Sequence, residues 1–236
     1  MRRINIVFFI FFLHASCEHT VNEGIFYPDP FKDAFKGRGI RMMASYAPDM
    51  PFLIDSVYFN QKGEIIEKRE FKTIKRYEYN EFGFLVRLLA LDDVPSNYYF
   101  RYKREGKDLL QQWYLIKHLR WDFDENNDLE KIERVVRFVL DDSKRIIKEV
   151  DKNSGRITDY KYNAKGKLVE KVVTSNENGN LGILRWLYEY GDTNNLEKIE
   201  YFKDTTLLIE HYYNSDGLLE TSQEDSYTML YRYEHY

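Results

Sequence analysis

Tyr213-Asn214-Ser215-Asp216-Gly217-Leu218-Leu219 is one spelling of a heptapeptide that recurs along this chain. Aromatic-Asn-x-x-Gly-x-Leu/Ile also reads at Phe59–Ile65, Tyr79–Leu85 and Tyr162–Leu168. Two further copies, Phe123–Leu129 and Tyr190–Leu196, carry Asn where Gly stood, at Asn127 and Asn194. Asn or Asp opens a type I turn because its side chain accepts hydrogen bonds from backbone amides just downstream. Gly three residues later supplies the left-handed conformation that closes a hairpin with a bulge, and Asn is the next-best residue there. The flanking aromatic and aliphatic residues are strand formers. Each copy therefore predicts a β-hairpin turn.

Degenerate copies fill the gaps. Tyr102–Leu109 holds Gly106, Leu140–Ile146 has Asp141 with Lys144 at the Gly position, Asp151–Ile157 keeps Gly155, and Phe202–Leu208 has Thr206 at the turn. The copies start about 11 or about 22 residues apart, one strand with its turn or one full hairpin. Such units cannot bury a face alone and must stack on their neighbours. The predicted fold is all-β, an array of antiparallel β-hairpins forming an extended, twisted or spiralling repeat sheet over residues 53–236.

Two stretches compete for helix. Leu109–Phe123 places Trp113, Leu115, Leu119, Trp121 and Phe123 on one side with period two. Leu129–Leu140 has a partial helical stripe, but Val135, Val136 and Val139 are β-branched and turns flank it, so strand is preferred. Ser175–Gly182, with its Asn-Glu-Asn-Gly-Asn core, reads as an insertion, and Asp92–Asn97 as a loop around Pro95.

The chain has 236 residues, a formal charge of −4 and 17% aromatic residues, including 20 Tyr. The acidic balance excludes a basic nucleic-acid-binding field, and the aromatic content excludes an intrinsically disordered chain.

The first residues form a targeting segment. Arg2 and Arg3 precede an apolar run, Ile4–Leu13, too short to span a bilayer. His14-Ala15-Ser16-Cys17 follows, with the one cysteine of the chain. Small residues before a cysteine just past such a run resemble a bacterial lipoprotein signal, with His14 where that family has an aliphatic residue. The resemblance implies a signal peptide over residues 1–16, acylation of Cys17 and a lipid anchor in the cell envelope. A plain secreted protein and an uncleaved anchor are the alternatives. Residues 17–52 contain Pro28, Pro30, Pro48 and Pro51 and lack the heptapeptide. They read as a tether, as a cap on the first open sheet edge, or as both.

The heptapeptide resembles the repeats of the rearrangement-hotspot or YD-repeat family, in which Tyr-Asp-x-x-Gly-Arg-Leu recurs. Gly155-Arg156-Ile157-Thr158 comes closest to it, and the resemblance covers about residues 53 to 225. It implies an envelope or extracellular protein whose hairpins spiral into a sheet or shell.

No catalytic, cofactor or metal motif is present in the sequence. His14, His19, His118, His211 and His235 lack metal-ligand spacing, and there is no nucleophile elbow or phosphate loop. Asp124, Asn126 and Asp128 begin like a calcium loop, but Leu129 and Val135 stand where Gly and Glu are needed. The expectation is a non-enzymatic envelope lipoprotein, held to the membrane at Cys17, that contacts a protein or glycan through strand faces or irregular loops. The alternatives are an enzyme acting on envelope polysaccharide, with carboxylates assembled only in the fold, and a neutralising partner of a toxin. The side of the sheet that carries Trp113, Trp121 and Trp186 discriminates most among them.

Overall fold

A computed structural model describes residues 35, 38–48, 53–70, 73–81, 84–91, 97–116, 128–177, 180–224 and 227–235. These form sixteen strands. The first eight are β1 (Ile40–Tyr46), β2 (Leu53–Phe59), β3 (Ile65–Glu70), β4 (Thr73–Tyr79), β5 (Leu85–Leu91), β6 (Tyr98–Glu105), β7 (Asp108–Ile116) and β8 (Leu129–Leu140). The second eight are β9 (Ile146–Asp151), β10 (Ile157–Tyr162), β11 (Leu168–Glu177), β12 (Asn180–Tyr190), β13 (Leu196–Lys203), β14 (Thr206–Tyr213), β15 (Leu219–Glu224) and β16 (Tyr227–His235). Both ambiguous stretches are strands in their described parts, β7 and β8.

Each strand pairs antiparallel with the next, and β16 returns to pair with β1. The sheet is therefore a closed barrel. This corrects the predicted extended, twisted or spiralling sheet while keeping its antiparallel hairpins. The closing strand β1 lies inside residues 17–52, the stretch read as tether or cap. It covers the edge of β2 through Met43↔Val57 and Ser45↔Asp55, and the edge of β16 through Met43↔Tyr233 and Ser45↔Tyr231.

The heptapeptides act as the sequence predicts. Asn163 Oδ1 accepts the amides of Lys165 and Lys167, both at 3.0 Å, and Gly166 takes φ +78°. Asn60 and Asn214 repeat the pattern, with Gly63 and Gly217 at positive φ. In the degenerate copy Asp141 does the same work while Lys144 holds φ +61°, and Asn194 holds +63°. The register shifts at the first residue of the copies, at Phe59, Tyr79, Leu140, Tyr162, Tyr190 and Tyr213. A bulge bends its strand and increases the local twist. These six lie on even-numbered strands, where the chain passes to the next odd-numbered one, so they crowd one end of the barrel, the repeat rim. Repeated bending at one end curls the sheet toward closure.

A second device joins the hairpins. The Tyr162 hydroxyl donates to the Ile146 carbonyl (2.6 Å), Tyr190 to Leu168 (2.9 Å) and Tyr102 to Leu85 (2.8 Å). Each ties the first aromatic of one copy to the last residue of the preceding copy at the same rim. Tyr233 in the last strand does the same to Leu219. The main core runs beneath these ties, with Leu109, Phe138, Ile146, Leu168, Leu196 and Leu219 buried together. A smaller cluster places Phe35 against Phe59, with ring centroids 4.3 Å apart, and packs it with Ile40 and Leu218.

The opposite end, the irregular rim, carries the odd-to-even connections. The copy Phe123–Leu129 belongs to this end, and all of it but Asp128 and Leu129 lies outside the described residues. The Ser175–Gly182 stretch is not a free insertion, since β11 and β12 pair down to Glu177↔Asn180. Of the Asp92–Asn97 loop only Asn97 is described. Its Oδ1 accepts the Ala90 amide, and its carbonyl accepts the Ile116 amide.

Candidate binding site on the inner wall

Register and burial separate the two faces of the wall. Tyr188, Ile199 and Tyr213 are buried, and Tyr188↔Ile199 and Ile199↔His211 place them on one face, the inside. Residues out of phase with them face outward, where charged side chains alternate with apolar and aromatic ones such as Leu89, Val172, Leu187 and Tyr212. Lys198 bridges Glu200 and Glu210, Glu170 binds Lys161 and Arg185, and Glu67 binds Arg69 and Arg76. Asp108–Arg137, Glu78–Arg87 and Arg41–Glu234 continue this lattice on other strands. Exposed pairs contribute little each to stability, but they place many charges on the outer wall.

The inner wall combines aromatic rings with polar groups in one arc, β6 to β13. Phe100 packs edge-on against Trp113 at 4.8 Å, and the Arg134 guanidinium lies 3.8 Å over the Trp113 ring. Arg134 also pairs with Asp151 at 3.0 Å. Burial pushes the Asp151 carboxyl up, but hydrogen bonds from Asn153 and Ser154 and the Arg134 charge outweigh it and hold it below the usual value. Deeper in the barrel, Lys171 lies over Trp186 (4.9 Å) and Tyr160 (5.9 Å), and Trp186 stacks on Tyr201 at 4.9 Å. The register Tyr160↔Lys171, Lys171↔Trp186 and Trp186↔Tyr201 makes these a continuous row across four strands. Burial pushes the Lys171 ammonium below the usual lysine value, with the Glu149 charge opposing and the Arg156 charge adding. The Tyr160 hydroxyl donates to Glu149 at 2.5 Å. Toward the irregular rim the arc opens into a cavity of about 370 Å³ lined by Arg134, Asp151, Asn153, Ser154, Arg156 and Ser175.

A second polar concentration lies at the closing seam, around a cavity of about 150 Å³ lined in part by Ser45, Asp55, Lys68 and Tyr231. The His211 Nδ1 shares a 2.5 Å hydrogen bond with Ser222 Oγ, which meets the Tyr231 hydroxyl at 2.9 Å. Burial lowers the His211 pKa, so the imidazole is the neutral member of this chain. Asp55 and Glu70 face each other across β2 and β3. Burial pushes the Asp55 carboxyl up, with the Lys68 charge opposing and Glu70 adding. Hydrogen bonds from Lys68 and Lys75 outweigh burial at Glu70 and hold it low.

Two of the three tryptophans, Trp113 and Trp186, are thus half-buried on the inner face, and Trp121 lies outside the described residues. Cys17, His14, His19, His118, Asp124 and Asn126 also lie outside them. His235 Nδ1 lies 3.2 Å from the Arg38 carbonyl oxygen, away from either cavity. Among the described residues no three His, Cys, Asp or Glu side chains gather as a metal site, and no helix is long and apolar enough to cross a membrane. Sequence reasoning missed Arg156, Lys171 and Lys203 as inner residues. The period-two series Lys171, Val173, Ser175 was the available signal, obscured because both faces carry charge.

No family profile and no curated protein matches this chain. Among solved structures, the complex TcdB2-TccC3-Cdc42 aligns at 13% identity over 73% of this chain and 12% of its own, with a TM-score of 0.27. A porin-like protein from Bacteroides uniformis aligns at 10% identity over 89% of this chain and 100% of its own, with a TM-score of 0.33. The chain thus spans about an eighth of the first of these.

Proposed function

We propose that this chain is a lipid-anchored, non-catalytic binding barrel of the bacterial envelope, which takes a glycan into the inner mouth at the irregular rim. The observation that carries the reading is the row Tyr160, Lys171, Trp186 and Tyr201 beneath the polar cavity. Half-exposed aromatic faces stack on the apolar faces of sugar rings, while neighbouring Asn, Asp, Ser and Arg side chains take up hydroxyls. Titration of the full chain against an oligosaccharide panel, followed by tryptophan fluorescence, tests it. Binding weakened at least tenfold by Trp186→Ala is expected, and a panel without a single binder defeats the reading.

Membrane association is assigned to Cys17 rather than to the barrel wall. A membrane barrel turns apolar residues outward, and a Lys or Arg facing lipid at mid-depth costs about 2–4 kcal/mol. The outward lattice of Lys198, Arg185, Arg76 and Arg137 supports a wall in water. Labelled palmitate should enter the protein and be lost in Cys17→Ala; label that persists in this variant sinks the anchor.

One observation favours the enzymatic alternative. Asp55 and Glu70 face each other with opposite pKa shifts, the pattern of an acid and its partner base. Hydrolysis of an envelope polysaccharide that disappears in Asp55→Asn, with glycan binding retained, would move the function to the seam.

A further inference from the structure

Many cations of the outer wall are paired with carboxylates, and three on the inner face of the β10–β13 arc are not. Outside, Lys198, Arg185, Arg76 and Arg137 each have a carboxylate within ion-pair distance. Inside, Arg156, Lys171 and Lys203 have no ion pair among the described residues. The register places all three on the inner face. Leu184↔Lys203 lies one step from Trp186↔Tyr201, and Ile157↔Thr174 sets Arg156 beside Ser175. Arg156 and Lys203 are exposed toward the mouth, while Lys171 is half-buried on its two aromatic faces. Four residues separate Arg156 from the row of Lys171 and Tyr160, about 13 Å along the strand. Asp151 is paired with Arg134, while Glu149 accepts the Tyr160 hydroxyl and acts on Lys171 alone of the three. A chain of formal charge −4 has thus placed a local surplus of positive charge in a concave wall beside stacking rings.

Resting on the glycan reading, we propose that the ligand of the inner mouth is an acidic saccharide, with carboxylates that meet Arg156, Lys203 and Lys171 while a ring lies on the Trp186–Tyr201 stack. A guanidinium takes a carboxylate through two parallel hydrogen bonds, and Lys171 is held desolvated where an anion restores what burial removed. A neutral sugar leaves Arg156 and Lys203 without a counter-charge, so discrimination follows from charge rather than from shape.

The test uses the full chain and a panel of uronic-acid oligosaccharides, each paired with its carboxyl-reduced counterpart. The acidic form should bind at least tenfold tighter, with affinity falling as salt rises. Arg156→Gln and Lys203→Gln, both exposed and outside the core, should each remove most of that preference. Arg69→Gln on the outer wall should leave it unchanged. Equal binding of both members, or equal loss from Arg69→Gln and Arg156→Gln, overturns the acidic ligand and leaves the glycan reading intact. If neither member of any pair binds, the glycan reading falls and this inference with it.

Discussion

The two ends of the barrel use the repeat unequally. At the repeat rim the same seven-residue solution recurs: an Asn or Asp gathers two amides, a left-handed residue follows, a bulge points an aromatic inward, and a Tyr ties one hairpin to the next. At the irregular rim the connections differ from one another, apolar side chains such as Leu181 stand in water, and the inner cavity opens. Repetition at one end supplies curvature and rigidity. At the other, the copy Asp151–Ile157 keeps the turn chemistry, but its side chains line the cavity instead of tying hairpins together.

That contrast can be broken experimentally, starting with the largest effect. Ile146, fully buried as the last residue of a repeat-rim copy, should cost about 2–5 kcal/mol when changed to Ala. Leu181→Ala, at a position 63% exposed on the irregular rim, should stay within about 0.5 kcal/mol in the same denaturant titration. Equal losses would erase the distinction between the rims.

Next come the tyrosine ties. Tyr190→Phe removes one donor from the Leu168 carbonyl and should cost about 1 kcal/mol. Amide exchange should quicken around residues 168 and 190 and not at the Ser175–Gly182 end of the same hairpin. A smaller effect of opposite sign is expected at Lys144, which holds φ +61° in place of the repeat's Gly. Lys144→Gly should stabilise the barrel by up to about 1 kcal/mol, read as a raised denaturation midpoint.

The last effect is a slope. His211 has a folded-state pKa below its ordinary value through burial, so the unfolded chain binds the proton more readily. Stability should therefore fall as pH drops below about 6.5, the unfolded value, and be complete above it. His211→Gln should flatten the part of the acid-side slope that an otherwise identical titration of the parent shows.

The repeat rim was legible in the sequence because its chemistry is local. Asn163 and Gly166 answer to amides within four residues, so seven letters contain the whole argument. Closure was not legible. β1, Ile40–Tyr46, has no heptapeptide, and its partner β16 lies at the other end of the chain. The cap reading recognised that an edge needed cover, but nothing in Ile-Arg-Met-Met-Ala-Ser-Tyr says that it covers two. The inner face was equally hidden. Lys68, Glu70 and Lys171 alternate in phase with buried apolar residues, so period two could not tell which side was wet. The candidate site depends on both, which is why Trp113 and Trp186 could be singled out but not placed.

Closure by the first and last strands also bears on how the chain folds. Fifteen pairings join strands adjacent in the chain; one, β1 with β16, joins residues as far apart as Ile40 and His235. Local hairpins form in microseconds, whereas drawing those ends together has a loop-closure entropy of about 4–5 kcal/mol. The hairpin wall should therefore assemble early, and the seam last. A chain lacking β1 would stop at the stage before it: a spiralling sheet with β2 and β16 as open edges, free to pair with a second copy.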